Sequence, residues 1–393
     1  MVKRISVLGA TGSIGAQTLD LIDRAGGAEA FDVVALTGHS NIAALADAAM
    51  RLRADIAVTA DPAGLEDLRA ALAGSDVQAA AGPQAICEAA ARPVDWTMSA
   101  IVGAAGLAPT LEAAKHGTAI ALANKESMVC AGDLLNQLCT THGTTLLPAD
   151  SEHAAIFQCL RGERAAEVER VIITASGGPF RGRARAEMRD VTLAEAVAHP
   201  NWDMGQGISI DSATMFNKAL EVIETREYFD VAPEQIEVLV HPESLVHALV
   251  GFKDGALMAH VGPPDMRHAI GFALHHPKRV ELPVERLDLA KIGSFDFRAP
   301  DDIRWPALRL AREVMARGGM AGAVFNAAKE TALDGFIAGQ INFVQMAEIV
   351  EQTLDDMTEH SGLIHDTMTL DNVLQVDHLA RKAAQAAINK RAG

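Results

Sequence analysis

Over the first part of the chain, short apolar runs alternate with stretches in which apolar residues recur every three or four positions. The runs Ile5–Leu8, Val33–Leu36, Ile56–Val58, Trp96–Met98, Ala119–Leu122 and Thr145–Leu147 are too short for helices and read as strands. Helical periods between them predict a doubly wound parallel sheet of Rossmann-like α/β type over residues 1–150. From 151 to 280 the runs Val171–Thr174, Ile236–Val240, Leu245–Phe252 and Ala256–Val261, again joined by helical stretches, predict a central α/β or α+β domain. Residues 281–306 hold three prolines and no sustained period, which reads as a linker or a wrapping arm. Beyond it, Ala307–Arg317, Ala321–Leu333, Phe343–Met357 and Leu370–Ala387 have helical periods and predict a C-terminal helical bundle over 307–393.

One segment of the central domain has an unusual polar side. At about 100° per residue, a helix over Ser212–Glu221 places Asn217, Lys218 and Glu221 on one narrow arc, with Met215, Phe216, Leu220, Val222 and Ile223 opposite. An amide, an ammonium and a carboxylate together suit an anion and a cation. A solvated face carrying an i,i+3 Lys–Glu pair has the same spacing.

Composition narrows the partners. The net charge of −17 argues against nucleic acid or an anionic membrane, so an anionic ligand needs cations placed locally. Cys87, Cys130, Cys139 and Cys159 lack a Cys-x-x-Cys or zinc-finger spacing and read as reduced structural thiols. The first strand starts near residue 4, leaving no room for a signal or transit peptide, and the weakly charged stretch Met98–Leu111 falls short of a membrane span. A cytoplasmic location without membrane attachment is the expectation.

Candidate chemistry clusters at strand ends. Gly9-Ala-Thr-Gly12-Ser-Ile-Gly15 follows the first strand and opens an apolar-periodic helix, the context of a dinucleotide-binding turn, although a structural tight turn has the same glycines. The second strand ends in His39-Ser40-Asn41 with no acid to hold a ribose 2′-hydroxyl, which favours the phosphorylated nicotinamide cofactor. Asn124-Lys125-Glu126 and Asp150-Ser151-Glu152-His153 follow later strands. Asp150 and Glu152, with Glu221, offer hard oxygen ligands to magnesium or manganese, while a solvated acidic loop is the plainer reading and His153 reads as a packing residue. Thr174-Ala-Ser176-Gly177-Gly178-Pro179 forms a donor-rich turn suited to a phosphate or simply to a tight bend. His199-Pro-Asn-Trp202-Asp-Met204-Gly205-Gln-Gly207 places an indole in a Pro/Gly-flanked loop, a candidate lid over about 198–208 or a surface loop pinned by its Trp.

Taken in order, the series Gly-Ala-Thr-Gly-Ser-Ile-Gly, Ala-Asn-Lys-Glu-Ser, Asp-Ser-Glu-His, Ser-Gly-Gly-Pro-Phe, His-Pro-Asn-Trp, Asp-Ser-Ala-Thr-Met-x-Asn-Lys-x-Leu-Glu and Pro-Asp-Met-Arg closely resembles 1-deoxy-D-xylulose 5-phosphate reductoisomerase across nearly the whole chain. The resemblance implies conversion of 1-deoxy-D-xylulose 5-phosphate to 2-C-methyl-D-erythritol 4-phosphate with NADPH and a divalent metal, in the non-mevalonate isoprenoid pathway, by a homodimer. It implies Asp150, Glu152 and Glu221 as metal ligands. It implies substrate contacts from Lys125, Ser151, Glu152, Ser176, His199, Trp202, Ser212, Asn217, Lys218 and Glu221, with Lys125, Glu152 and Glu221 closest to the chemistry. Thr11, Gly12, Ser13, Ile14, Asn41, Asn124, Glu126 and Gly205 match cofactor contacts. Three positions depart from the family pattern: Ser40 and Gly207 stand where a basic residue is usual, and Lys329 stands in a motif that often reads Asn-Ala-Ala-Asn-Glu. Two other readings share the glycine turn. A metal-independent NAD(P) dehydrogenase of a small aldehyde or hydroxy acid needs no carboxylate triad, and a dinucleotide-sensing regulator would bind NADPH without consuming it.

Overall fold

The structure, a computed structural model, describes residues 2–202, 205–360 and 362–392. By contacts the chain forms two compact units, Met1–Ser127 with Leu135–Ala154 and Asp265–Glu285, and Met128–Leu134 with Ala155–Pro264 and Arg286–Gly393. This division is interleaved in sequence, unlike the consecutive blocks 1–150, 151–280, 281–306 and 307–393 expected above.

The first unit is built on a sheet of seven strands: β1 (Lys3–Leu8), β2 (Phe31–Gly38), β3 (Ile56–Thr59), β4 (Gln78–Ala81), β5 (Trp96–Ser99), β6 (Ala119–Leu122) and β7 (Thr145–Pro148). Their order is β4-β3-β2-β1-β5-β6-β7, and each neighbouring pair is parallel. The chain winds outward from β1 to β4, then returns to the centre at β5, so the strand order reverses beside β1. All strands end on one edge, where open α/β sheets bind ligands. Ile5, Val7, Leu8, Trp96 and Met98 are buried at the sheet centre, consistent with strands covered on both faces. Strand β4, Gln-Ala-Ala-Ala, was not predicted, because it holds none of the β-branched residues that mark the others.

The helix Arg267–His275, distant in sequence, belongs to this unit. The Trp96 indole N–H donates to the Ala273 carbonyl at 3.0 Å, and Lys3 Nζ donates to the Leu274 carbonyl at 2.6 Å. Both carbonyls lie in the last turn of the helix, where no helical amide reaches them.

The second unit holds a sheet of four strands, β8 (Val168–Ala175), β9 (Ile236–Val240), β10 (Val246–Phe252) and β11 (Leu257–Val261), in the order β11-β10-β8-β9. Strands β8 and β9 are parallel, and β10 runs antiparallel to β8 and β11. The segment expected as a linker or arm is tied to this sheet: Val240 and Arg298 exchange backbone hydrogen bonds at 2.8 and 2.9 Å, and Phe297 stacks on His241 at 4.8 Å. The helices Pro306–Arg317, Ala321–Ile337, Gln345–His360 and Leu370–Ala392 form the expected helical array, with Phe325, Leu354, Val376 and Ile388 in its interior.

The helix expected over Ser212–Glu221 is instead two helices, Gln206–Thr214 and Phe216–Phe229. They break at Met215, whose φ of 64° is left-handed, and Ser212 lies on the first helix while Asn217, Lys218 and Glu221 lie on the second. Met215 is itself buried, which holds the bend in place against the cost of that conformation for a side chain.

Candidate active site

In the first unit, the candidate residues follow β1, β2, β6 and β7 onto one edge of the parallel sheet. After β1 the turn is tight: a Cβ on Gly15 would lie 2.1 Å from the Gly9 carbonyl oxygen, and one on Gly9, at φ +87°, would lie 2.6 Å from the Ala100 oxygen. No other residue type fits either place. Gly12 caps the helix Ser13–Arg24 without a side-chain hydrogen bond, which leaves the first-turn amides beside Thr11, Ser13 and Ile14 to an external anion. Thr37 of β2 fastens the turn, its hydroxyl accepting from Gly9 N at 2.9 Å and its carbonyl from Ala10 N at 2.7 Å. Beyond it His39, Ser40 and Asn41 are exposed, and the Asn41 side-chain oxygen accepts from Ala44 N at 3.1 Å, capping the next helix.

After β6, buried Asn124 acts as a bracket. Its amide donates to the carbonyls of Ile101 and Gly103 at 2.7 and 3.0 Å and to Glu126 Oε2 at 2.7 Å, while its oxygen accepts from Ser127 N at 2.9 Å. The side chain therefore ties the loop after β5 to the loop after β6. Lys125, at the start of the helix Lys125–His142, pairs with Asp150 after β7. His153 is fully buried, with Nδ1 3.4 Å from the same Asp150 oxygen, so this packing residue also orients the carboxylate. Burial pushes the Asp150 carboxyl up, but Lys125 and His153 outweigh it and hold it well below the usual range, so it is ionised at neutral pH. Ser151 and Glu152 open the helix Ser151–Cys159, and the Ser151 hydroxyl donates to Glu152 Oε2 at 2.5 Å. A helix N-terminus favours that negative charge.

In the second unit, Asn217, Lys218 and Glu221 occupy the first turns of Phe216–Phe229. Asn217 Nδ2 donates to Glu221 Oε1 at 2.5 Å, and Lys218 pairs with the other oxygen. Lys218 and Glu221 are 3% and 1% exposed, so the solvated-face reading does not hold. A buried ion pair is a weak device for stability, and its presence here fits a site.

Ser176 follows β8. His199 Nδ1 accepts from the amides of Asn201 and Trp202 at 3.1 and 3.0 Å, so its proton sits on Nε2 and is donated to Ser176 Oγ at 2.9 Å. Burial, with the Arg181 charge, lowers His199 to about 4, keeping the ring neutral. Gly178 N also donates to Ser176 Oγ, at 3.1 Å. The hydroxyl thus accepts twice, which leaves its own hydrogen for a further acceptor. A Cβ on Gly178 would lie 2.9 Å from Ala213 Cα and 3.1 Å from the Ser212 carbonyl, so the Ser176 turn and the helix bearing Ser212 are in direct contact.

Of the candidate lid over 198–208, Asp203 and Met204 lie outside the described residues. Trp202 packs edge-on against His247 at 6.5 Å, and Gly205 caps the helix Gln206–Thr214. Sequence reasoning missed Asn201, whose amide donates to the Pro242 carbonyl at 2.5 Å and to Ser244 Oγ at 3.0 Å, anchoring the loop to the β9–β10 connection. No periodicity marks such a residue; only its place between Pro200 and Trp202 hinted at one.

Three family models cover most of the chain: 1-deoxy-D-xylulose 5-phosphate reductoisomerase over residues 5–132, its C-terminal domain over 146–229, and the DXP reductoisomerase C-terminal domain over 261–383. The 1-deoxy-D-xylulose 5-phosphate reductoisomerase of Ruegeria pomeroyi is 64% identical over 100% of this chain and 99% of its own length. This chain belongs to that reductoisomerase family. The Cereibacter sphaeroides (ATCC 17025) enzyme is 60% identical over 99% of both chains. Among solved structures, the Zymomonas mobilis reductoisomerase in complex with NADPH shares 49% identity and a TM-score of 0.91 over 99% of both chains. A DOX-P reductoisomerase in complex with NADPH, fosmidomycin and magnesium shares 40% identity and a TM-score of 0.93 over 98% of both chains. Membership accounts for the motif order along the sequence and for the parallel sheet followed by a mixed one.

Proposed function

We infer that the chain isomerises and reduces 1-deoxy-D-xylulose 5-phosphate to 2-C-methyl-D-erythritol 4-phosphate, using NADPH and a divalent metal, in the non-mevalonate isoprenoid route. The observation that carries this reading is full-length identity of 64% to a relative of that name, joined to the structural match with a magnesium and NADPH complex.

The residues fit the cofactors. The close-packed glycine turn and uncapped first-turn amides after β1 suit a dinucleotide pyrophosphate, with Thr11, Gly12, Ser13, Ile14, Asn41, Asn124, Glu126 and Gly205 as its proposed contacts. Asp150, Glu152 and Glu221 are the proposed ligands of magnesium or manganese, an all-carboxylate set of the kind hard cations take. When bound, NADPH supplies the hydride and the metal supplies Lewis-acid stabilisation of oxyanion charge.

The chain's own groups do the positioning. Lys218, Asn217, Ser176 and Ser212 hold the substrate phosphate, two of them through hydroxyl donors and one through a buried ammonium. Neutral His199 donates to Ser176 and so fixes the direction of its hydroxyl hydrogen. Lys125 neutralises part of the acidic cluster through Asp150, and Ser151 orients Glu152. Trp202, anchored through Asn201, covers the substrate and keeps water from the aldehyde before it is reduced. Binding energy from the remote phosphate then serves the chemistry. The test is NADPH absorbance with 1-deoxy-D-xylulose 5-phosphate: oxidation is expected with added magnesium or manganese and none after chelation. Equal rates with and without metal would instead indicate a simple dehydrogenase.

We also propose a cytoplasmic homodimer. The four cysteines are free thiols, and no helix among the described residues is long and apolar enough to cross a membrane. Edge strand β11 exposes Leu257, Met258 and Val261 at 52%, 42% and 40%, an apolar edge that a second copy would cover. Light scattering is expected to give a dimer mass that Met258→Lys lowers; a monomeric wild-type chain would refute the assembly.

A further inference from the structure

The helix Gln206–Thr214 carries Ser212 and buries Ser209, Ile210, Asp211 and Ala213 on its inner side. Its N-cap is Gly205 with no side-chain hydrogen bond, Ile208 is 40% exposed, and its C-terminus runs into the left-handed bend at Met215. One of its anchors lies on the helix Ala321–Ile337. Asp211, the residue before Ser212, forms an ion pair with Lys329, Nζ to Oδ2 at 2.9 Å, with the two residues 7% and 3% exposed. One turn earlier, a Cβ on Gly207 would lie 3.5 Å from Leu333 Cδ2. Positions 207 and 211 thus face 333 and 329, so the two helices run antiparallel where they meet, with a buried charge pair in the seam. On another side the helix rests on the Gly178 turn that carries Ser176.

We propose that Lys329, acting through Asp211, is a positioning residue for the substrate phosphate: it sets the rotation of the helix so that the Ser212 and Ser176 hydroxyls serve one anion. Ser212 lies about 100° round the helix from Asp211, so a modest rotation swings its hydroxyl away from the turn. An apolar contact alone tolerates such rotation. A buried ion pair does not, because its geometry decides whether either charge is compensated. The pairing of Asp211 thereby orients its neighbour Ser212, a positional role distinct from net stability.

This inference rests on the proposed phosphate grip, and the experiment separates the two. Lys218→Ala and Lys329→Met are assayed side by side, with 1-deoxy-D-xylulose 5-phosphate as the varied substrate, for KM, kcat and NADPH affinity. Lys329→Met is expected to raise the substrate KM about tenfold, with a smaller change in kcat and unaltered NADPH binding. Lys329→Arg, which keeps a cationic donor beside Asp211, is expected to recover most of that loss. If Lys329→Met does not fold, the double variant Asp211→Asn/Lys329→Met, which removes both charges, takes its place with the same expected rise. A folded variant of either kind with an unchanged substrate KM overturns the proposal, as does an equal loss of NADPH affinity, the mark of general loosening. A raised KM in Lys218→Ala alone refutes only the role of Lys329; an unchanged KM in Lys218→Ala refutes the phosphate grip itself.

Discussion

At the scale of single residues, each unit contributes charges held by near neighbours to the proposed site. Lys125 with Asp150 and Lys218 with Glu221 are ion pairs whose carboxylates are also proposed metal ligands, and Lys125 with His153 holds Asp150 ionised. Glu221→Gln removes one negative charge and leaves the glycine turn untouched. Turnover is expected to fall by about a thousandfold or more, with NADPH affinity unchanged by fluorescence titration; a near-normal rate would remove Glu221 from the metal set. These types were legible in sequence because polar residues crowded the ends of apolar runs. Their pairing was not. Neither the Asp211–Lys329 contact nor the His199 tautomer leaves a local signature, since the partners are far apart in the chain or depend on backbone amides.

At the scale of elements, most strands and helices were legible because one period dominates each. The exceptions have identifiable causes. Gln78–Ala81 is a strand by virtue of its pairing with β3, a tertiary effect that outweighs alanine-rich composition. Met215 interrupts an unbroken helical period because the bend buries its side chain. A second irregularity lies in Lys125–His142, which departs from helical geometry at Ala131 with φ −148° and ψ 35°. The Glu227 carboxylate occupies the space beside Gly132, 2.7 Å from where a Cβ would be. Burial and the Asp133 charge raise Glu227 to about 7 against the opposing Arg226. A raised carboxyl means the folded chain holds a proton the unfolded chain releases earlier, so this contribution is full at low pH and is lost as pH rises through about 7. Glu227→Gln is therefore expected to stabilise the protein at pH 8 by about 2 kcal/mol and by much less at pH 5. Thermal melts at the two pH values check it; equal shifts at both would mean Glu227 does not titrate there.

At the scale of the whole molecule, the chain carries a net charge of −17 while its substrate and cofactor are anions. Long-range attraction cannot recruit them, so the proposed recognition rests on locally placed ammoniums, hydroxyls and helix amides. The parallel sheet explains why residues from Thr11 to Glu152 share one edge, and that much followed from the alternation of runs. The return of Asp265–Glu285 to the first unit did not, because its anchors, the indole of Trp96 and the ammonium of Lys3, reach backbone carbonyls that any sequence would offer. The central claim is that isomerisation and reduction occur in one site, and product structure tests it most directly. Incubation with 1-deoxy-D-xylulose 5-phosphate, NADPH and magnesium, followed by carbon NMR of the phosphorylated product, is predicted to show the branched skeleton of 2-C-methyl-D-erythritol 4-phosphate. A linear deoxypentitol phosphate, the product of direct ketone reduction, would contradict it.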